Sequence, residues 1–117
     1  MPASVLIVED EWLIADDYAC LLREAGHAVV GPCATVREAI SLVEDTAIEA
    51  ALLDIELRGE KSFPVAERLL ARNIPFAFLS GHASDDLPPH MQGQRMLAKP
   101  VESAALLATV EKMCRSN

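Results

Sequence analysis

Positive charge is scarce in this sequence. Ten Lys and Arg stand against eighteen Asp and Glu, a formal charge of −8. A surface of that sign repels nucleic acid and anionic lipid, so neither is an expected partner. Cysteine is scarce as well: Cys20, Cys33 and Cys114 are odd in number, scattered and without Cys-x-x-Cys spacing. That excludes a disulfide frame or a zinc site and fits the reduced thiols of a cytosolic protein. No basic stretch followed by an apolar run opens the chain, and no apolar run is long enough to cross a bilayer. Neither a signal peptide nor a spanning helix is expected, and the expected compartment is cytoplasmic. Linkers, internal repeats and low-complexity tracts are absent too. With 117 residues, 51% hydrophobic and 24% charged, the expectation is one globular domain over residues 1–117 with no second, output domain.

What is present is an alternation of apolar runs and helical periodicities. Ala50-Ala51-Leu52-Leu53 is a continuous apolar run that ends in Asp54, the pattern of a strand buried on both faces of a parallel sheet. Ser4 to Val8 is a second such run, and it ends in Glu9, Asp10 and Glu11. Ala28 to Gly31, Pro75 to Gly81 and Arg95 to Lys99 supply three more strands. Between them, Ile14, Tyr18, Leu21, Leu22 and Ala25 recur at helical spacing, with Gly26 as a C-terminal cap. Thr35-Val36-Arg37-Glu38 has the form of a capping box ahead of Ala39, Ile40 and Val43. Pro64 suits the first turn of a third helix with Ala66, Leu69 and Leu70 facing inward. Pro88, Pro89 and Gly93 leave room only for a short or irregular fourth helix. A last helix runs from Val101 to Cys114, with Leu107, Val110 and Cys114 inward. The pattern is (βα)₅, an α/β fold with a doubly wound parallel five-stranded sheet and helices on both faces.

In a parallel sheet all the strands' carboxyl ends lie on one rim, where open α/β sheets bind their ligands. That rim is expected to gather Glu9, Asp10, Asp54, Ser80 and Lys99. Two carboxylates about 4 Å apart repel by roughly 4 kcal/mol at an effective dielectric near 20. An all-oxygen cluster of this kind favours a hard divalent cation such as Mg²⁺. A cation, a carboxylate nucleophile, a lysine and a hydroxyl together can hold a phosphoryl group and accept it as an aspartyl phosphate.

At these residues the chain resembles the receiver domain of two-component response regulators, the CheY-like superfamily. The matching motifs are Val8-Glu9-Asp10-Glu11, Leu53-Asp54, Ser80-Gly81 and Lys99-Pro100, and the likeness covers essentially the whole chain. It implies a flavodoxin-like strand order 2-1-3-4-5. It also implies that Asp54 is the phosphoacceptor, that Asp10 and Asp54 bind Mg²⁺ directly, that the Glu56 backbone carbonyl is the third protein ligand and that Glu9 acts through water. Lys99 would pair with phosphoryl oxygens, with Lys99-Pro100 cis as in the family, and Ser80 would be the switch hydroxyl. A narrower likeness joins Pro75-Phe76-Ala77-Phe78-Leu79-Ser80-Gly81-His82 to the Pro-Phe-x-Phe-Ala-Thr-Gly-Tyr run of FATGUY receivers. It matches at Pro75, Phe76, Phe78 and Gly81 and departs at Leu79, Ser80 and His82. Those receivers are mostly stand-alone domains of alphaproteobacteria tied to stress-response kinases of the HWE and related types.

Met96 stands where receivers usually carry Tyr or Phe three residues before the lysine. It either fills the vacated space, with phosphorylation shifting the population of the region from Gly81 to Gln94, or is a plain core strand residue. His82 either touches the mouth of the site or is an exposed loop histidine. The Glu56 side chain either orients attacking water or leaves the work to its backbone. Trp12 either lies near the metal or packs beside the first helix, and Glu11 reads as a solvated first-turn acid. His27 and His90 read as surface residues.

The resemblance implies a phosphorylation-controlled switch, relay or sink. A sensor histidine kinase or histidine phosphotransferase would be the donor, and a downstream protein would meet the face of helix four, strand five and helix five. A receiver cut from a hybrid kinase is a variant of that reading. Two alternatives differ in class: a Mg²⁺-dependent phosphohydrolase, which Asp54-Ile55-Glu56 superficially fits, and a pseudo-receiver that is never phosphorylated.

Overall fold

The structure is a computed structural model that describes residues 3–81 and 87–115. Five parallel strands form one sheet: β1 (Ser4–Val8), β2 (Ala28–Cys33), β3 (Ala50–Asp54), β6 (Phe76–Ser80) and β7 (Arg95–Ala98). Their order is β2-β1-β3-β6-β7. A two-strand hairpin, β4 (Glu56–Leu57) and β5 (Glu60–Lys61), interrupts the numbering, so the sheet's own strands run 2-1-3-4-5 as expected.

The central strands are apolar apart from Ser4, Asp54 and Ser80 at their ends, because each side of the sheet is covered, and their core residues alternate between the two sides. Leu6, Val8, Ala51, Leu53, Phe76 and Phe78 join one core with helices α2 (Val36–Asp45) and α3 (Phe63–Ala71). Val5, Ile7, Ala50, Leu52, Ala77 and Leu79 join the other with α1 (Trp12–Glu24) and α4 (Ser103–Arg115). The period of two along a strand is what sends neighbours to opposite cores. Phe78 meets Phe63 and Phe76 edge to face, at centroid distances of 5.9 and 5.3 Å.

The capping box forms at the start of α2. The Glu38 backbone N–H donates to Thr35 Oγ1 at 3.2 Å, and Glu38 Oε1 accepts from the Ala34 N–H and the Thr35 hydroxyl. Pro64 occupies the first turn of α3. Gly26 takes a positive φ of 93° after α1, as its capping role requires.

The inner faces of the helices differ in part from expectation: Ile14 and Leu21 of α1 and Ile40 of α2 are half-buried, and Ala25 is exposed. In α3 the buried residues are Val65, Ala66 and Leu69, while Leu70 is 37% exposed. In α4 they are Leu106, Val110 and Met113, with Leu107 and Cys114 only half-buried. Residues 106, 110 and 113 and residues 107, 110 and 114 both keep helical spacing, and packing against the sheet selects the first stripe. His27 is not a surface residue: it is buried, and its Nδ1 accepts a hydrogen bond from the Ala3 N–H at 3.2 Å, tying the start of β2 to that of β1. His90 is exposed, 3.7 Å from Glu67.

After β6 the described chain carries a single 3₁₀ turn, Pro89–Met91, whose Met91 is fully buried. His82 and residues 83–86 of the expected fourth-helix region lie outside the described residues.

Candidate functional site

The register of the sheet brings the expected rim together. Val8 is level with Leu53, Asp54 with Leu79, and Ser80 with Ala98, so the residues beyond each strand converge. Glu9, Asp10 and Asp54 offer carboxylate oxygens that all lie within 4.8 Å of one another. Lys99 reaches into this group. Its Nζ donates to Glu9 Oε1 at 2.7 Å and to Asp54 Oδ2 at 3.1 Å. The backbone N–H of Lys99 donates to the Ser80 carbonyl at 2.8 Å, which fixes the root of the lysine to the end of β6. Ser80 itself is buried, and the Lys99-Pro100 peptide is cis.

Each acid is held differently. The Glu9 carboxylate has no solvent exposure, and both its oxygens accept hydrogen bonds, Oε1 from Lys99 and Oε2 from the Glu11 N–H at 3.1 Å. Asp10 is half-buried, and its Oδ2 accepts from the Arg58 N–H at 3.0 Å. Asp54 is buried, with Lys99 as its cationic neighbour.

Burial pushes the Glu9 carboxyl up to about 7, with the Asp54 charge adding to the rise and Lys99 and the Glu11 N–H opposing it. Burial likewise holds the Asp54 carboxyl above its ordinary value against the pull of Lys99. Burial pulls the Lys99 ammonium down, but hydrogen bonds to Glu9 and Asp54 outweigh it and leave the net shift upward. When ionised, three carboxylates facing one half-buried ammonium leave a surplus of negative charge. An all-oxygen donor set of that size and sign fits Mg²⁺ or a similar hard cation. Cys33 lies beside the cluster, but burial pushes its thiol up to about 12, so it is no competing thiolate ligand.

The other expected residues fall in distinct places. Trp12 is 73% exposed and lines a cleft of about 260 Å³ together with Glu9, Asp10 and Arg58, so it stands at the cluster instead of packing on its helix. Glu11 is an exposed residue at the start of α1, and its backbone N–H, not its charge, serves the site. The Glu56 side chain turns away to pair with Lys61 across the hairpin, so it is not poised to orient water at Asp54. Gly81 and Pro100 line a second cleft, about 600 Å³, between Lys99 and the α1 residues Ile14, Tyr18 and Leu21. Met96 is not a core residue: it is 39% exposed on the edge strand β7.

One supporting residue escapes the sequence pattern. Arg58 takes a left-handed φ of 49°, and Gly59 comes next at 85°, forming the two-residue turn that joins β4 to β5. That turn aims the Arg58 N–H at Asp10. The Arg-Gly pair, with apolar Leu57 just before it, was the available signal.

Residues 5–111 match the family described as the response regulator receiver domain. SdrG from Sphingomonas melonis Fr1, whose structure is known in solution, is 40% identical over 96% of both chains, with a TM-score of 0.83. The positive alginate biosynthesis regulatory protein of Pseudomonas aeruginosa is 33% identical over 97% of this chain and 48% of its own length. The transcriptional regulatory protein PdtaR of Mycobacterium tuberculosis is 29% identical over 95% of this chain and 56% of its own. The chain therefore spans about half the length of these two regulators.

Proposed function

The chain belongs to the response regulator receiver domain family, and on that premise we propose that Asp54 accepts a phosphoryl group from the phosphohistidine of a sensor kinase or a histidine phosphotransferase. The observation that carries this reading is the meeting of Glu9, Asp10, Asp54 and Lys99 at one rim of the sheet. Asp10 and Asp54 would hold Mg²⁺ directly, with the Glu56 carbonyl as a further ligand. Glu9 would act through water, which suits a carboxylate whose two oxygens already accept hydrogen bonds. When bound, the ion supplies neutralisation of the charge on the transferring phosphoryl oxygens.

In the transfer, an oxygen of Asp54 bonds to phosphorus, the phosphorus–nitrogen bond to histidine breaks, and the imidazole nitrogen leaves with a proton from solvent. Lys99, 3.1 Å from Asp54, would follow the new charge onto a phosphoryl oxygen. Ser80, at the end of β6, would donate its hydroxyl to another. Hydrolysis of the acyl phosphate then restores the carboxylate. The product is a signalling state read by a downstream protein, or phosphate drained from a shared kinase. The FATGUY likeness favours a kinase of the HWE type, and a cytoplasmic location accords with this role.

On this reading the domain is a phosphoacceptor and not a turnover enzyme. A phosphohydrolase would need the Glu56 carboxyl at the cluster, and that side chain is engaged with Lys61.

The test is incubation with acetyl phosphate and Mg²⁺ followed by intact mass measurement. One base-labile phosphoryl adduct is expected, absent in Asp54→Asn and absent without the metal. No adduct on the native chain would leave a partner-binding pseudo-receiver, and steady turnover of a generic phosphate ester would restore the hydrolase.

A further inference from the structure

We propose that Gly31, outside every motif that defines the site, is a positioning residue for the acid cluster. Its left-handed backbone lets the end of β2 fold in against Glu9 and hold that residue in place. The part of this inference that concerns Mg²⁺ rests on the functional reading above.

The pairing of β2 with β1 begins regularly, with Ser4 level with Ala28, Val5 with Val29 and Leu6 with Val30. It then slips. Val8 is level with Cys33, where an unbroken register would put Pro32, so β2 carries one extra residue over this stretch. An extra residue of this kind bends its strand and re-aims the residues beyond it. Here it brings the Cys33 carbonyl to the Glu9 N–H at 3.0 Å, while the Cys33 thiol donates to the Ile7 carbonyl at 3.8 Å.

Gly31 makes the slip possible for two separate reasons. Its φ is 87°, a conformation that residues with a Cβ avoid. A Cβ there would also lie 2.8 Å from the Cys33 nitrogen and 3.2 Å from the Ile7 oxygen. Both are backbone atoms of the segments that the slip joins, so neither can move aside as a flexible side chain would. The site would have to give way instead.

Glu9 is the residue that most needs such a hold. A glutamate has one more rotatable bond than an aspartate and loses more freedom when it is fixed. It is pinned at three points: the N–H by Cys33, Oε1 by Lys99 and Oε2 by the Glu11 N–H. Releasing the first lets the turn after β1 drift, and Asp10, the next residue, drifts with it.

The experiment is Gly31→Ala read by amide hydrogen exchange at Glu9 in metal-free protein and by Mg²⁺ titration of amide shifts. Leu69→Ala, a core truncation in α3 remote from the rim, serves as the stability control. We expect Gly31→Ala to lose about tenfold in Glu9 protection relative to that control, the size one backbone hydrogen bond supplies, and to weaken Mg²⁺ binding by a similar factor. Cys33→Ala keeps the carbonyl and is expected to retain both properties. Unchanged protection and affinity in Gly31→Ala would overturn the proposal, and so would a Cys33→Ala protein that loses as much as Gly31→Ala. Should Gly31→Ala fail to fold, the native protein decides: a scalar coupling across the Glu9 N–H to the Cys33 carbonyl supports the proposal, and its absence overturns it. If the native chain binds no Mg²⁺, the functional reading falls, and Glu9 protection alone judges the role of Gly31.

Discussion

The centre of the sheet and its far edge are built to different standards. On the side of β1 and β3 the strands are buried almost without exception, and the acids at their ends are clasped from outside by the end of β2 and by the β4–β5 turn. On the far side β7 forms an edge, with Arg95, Met96 and Ala98 exposed and only Leu97 half-buried. Charge chemistry demands the first arrangement. Carboxylates that must neither drift apart nor take up solvent at random need their backbone fixed by several neighbours. On the proposed function, a surface that passes a signal to another protein would need the second, because a side chain already packed into its own core cannot meet a partner.

The sharpest way to break this contrast is Leu53→Ala. Leu53 is fully buried beside Asp54, so the truncation is expected to cost about 2–5 kcal/mol in urea unfolding. A cost below about 1 kcal/mol would show that the acid-bearing centre is looser than its packing implies.

Next in size is the dependence on pH. The Glu9 carboxyl is raised in the folded protein from 4.5 to about 7, so the folded state holds its proton more tightly than the unfolded state. The stabilisation this gives is full below pH 4.5 and is lost as pH rises through 7. Asp54 shifts in the same direction. Metal-free protein is expected to lose on the order of 1–3 kcal/mol across that window, and saturating Mg²⁺ to remove most of the decline because it binds the ionised acids. Thermal melts at several pH values, with and without Mg²⁺, check it. A metal-free protein that gains stability over the same interval would contradict the burial of Glu9.

Ser62 is a flaw on the tight side. Its hydroxyl is fully buried ahead of α3 and, among the described residues, finds no hydrogen-bond partner. Ser62→Ala is therefore expected to raise stability by about 1 kcal/mol, read as a higher urea midpoint. A loss of similar size would reveal a partner for the hydroxyl. Smallest of all should be Met96→Ala on the open edge, within about 0.5 kcal/mol of the native protein by the same measurement. If it costs as much as Leu53→Ala, the centre and the edge are not different in kind.

Much of the site could be read directly from the chain, for a physical reason. A strand buried on both faces must be apolar along its length, so an acid at its end marks both the strand's limit and the rim on which it lies. Glu9, Asp10 and Asp54 are legible in that way, and Lys99 from its place at the end of the last apolar-containing strand. The hairpin is not, because Glu56-Leu57 and Glu60-Lys61 are too short to carry a period. His27 reads wrongly as a surface residue because its hydrogen-bond donor, Ala3, is remote in sequence. Met96 reads as an interior residue because strand alternation says which side a residue faces, not whether anything covers that side.

Local chemistry along the chain determined the strands, the caps and the identity of the reactive groups, since each depends on the spacing of apolar and polar residues. Tertiary structure alone decided which helix stripe is buried, which carboxylate oxygens Lys99 meets, and which distant backbone groups hold Glu9 and Asp10. Those depend on the register between strands far apart in sequence, and no local pattern encodes a distance between them.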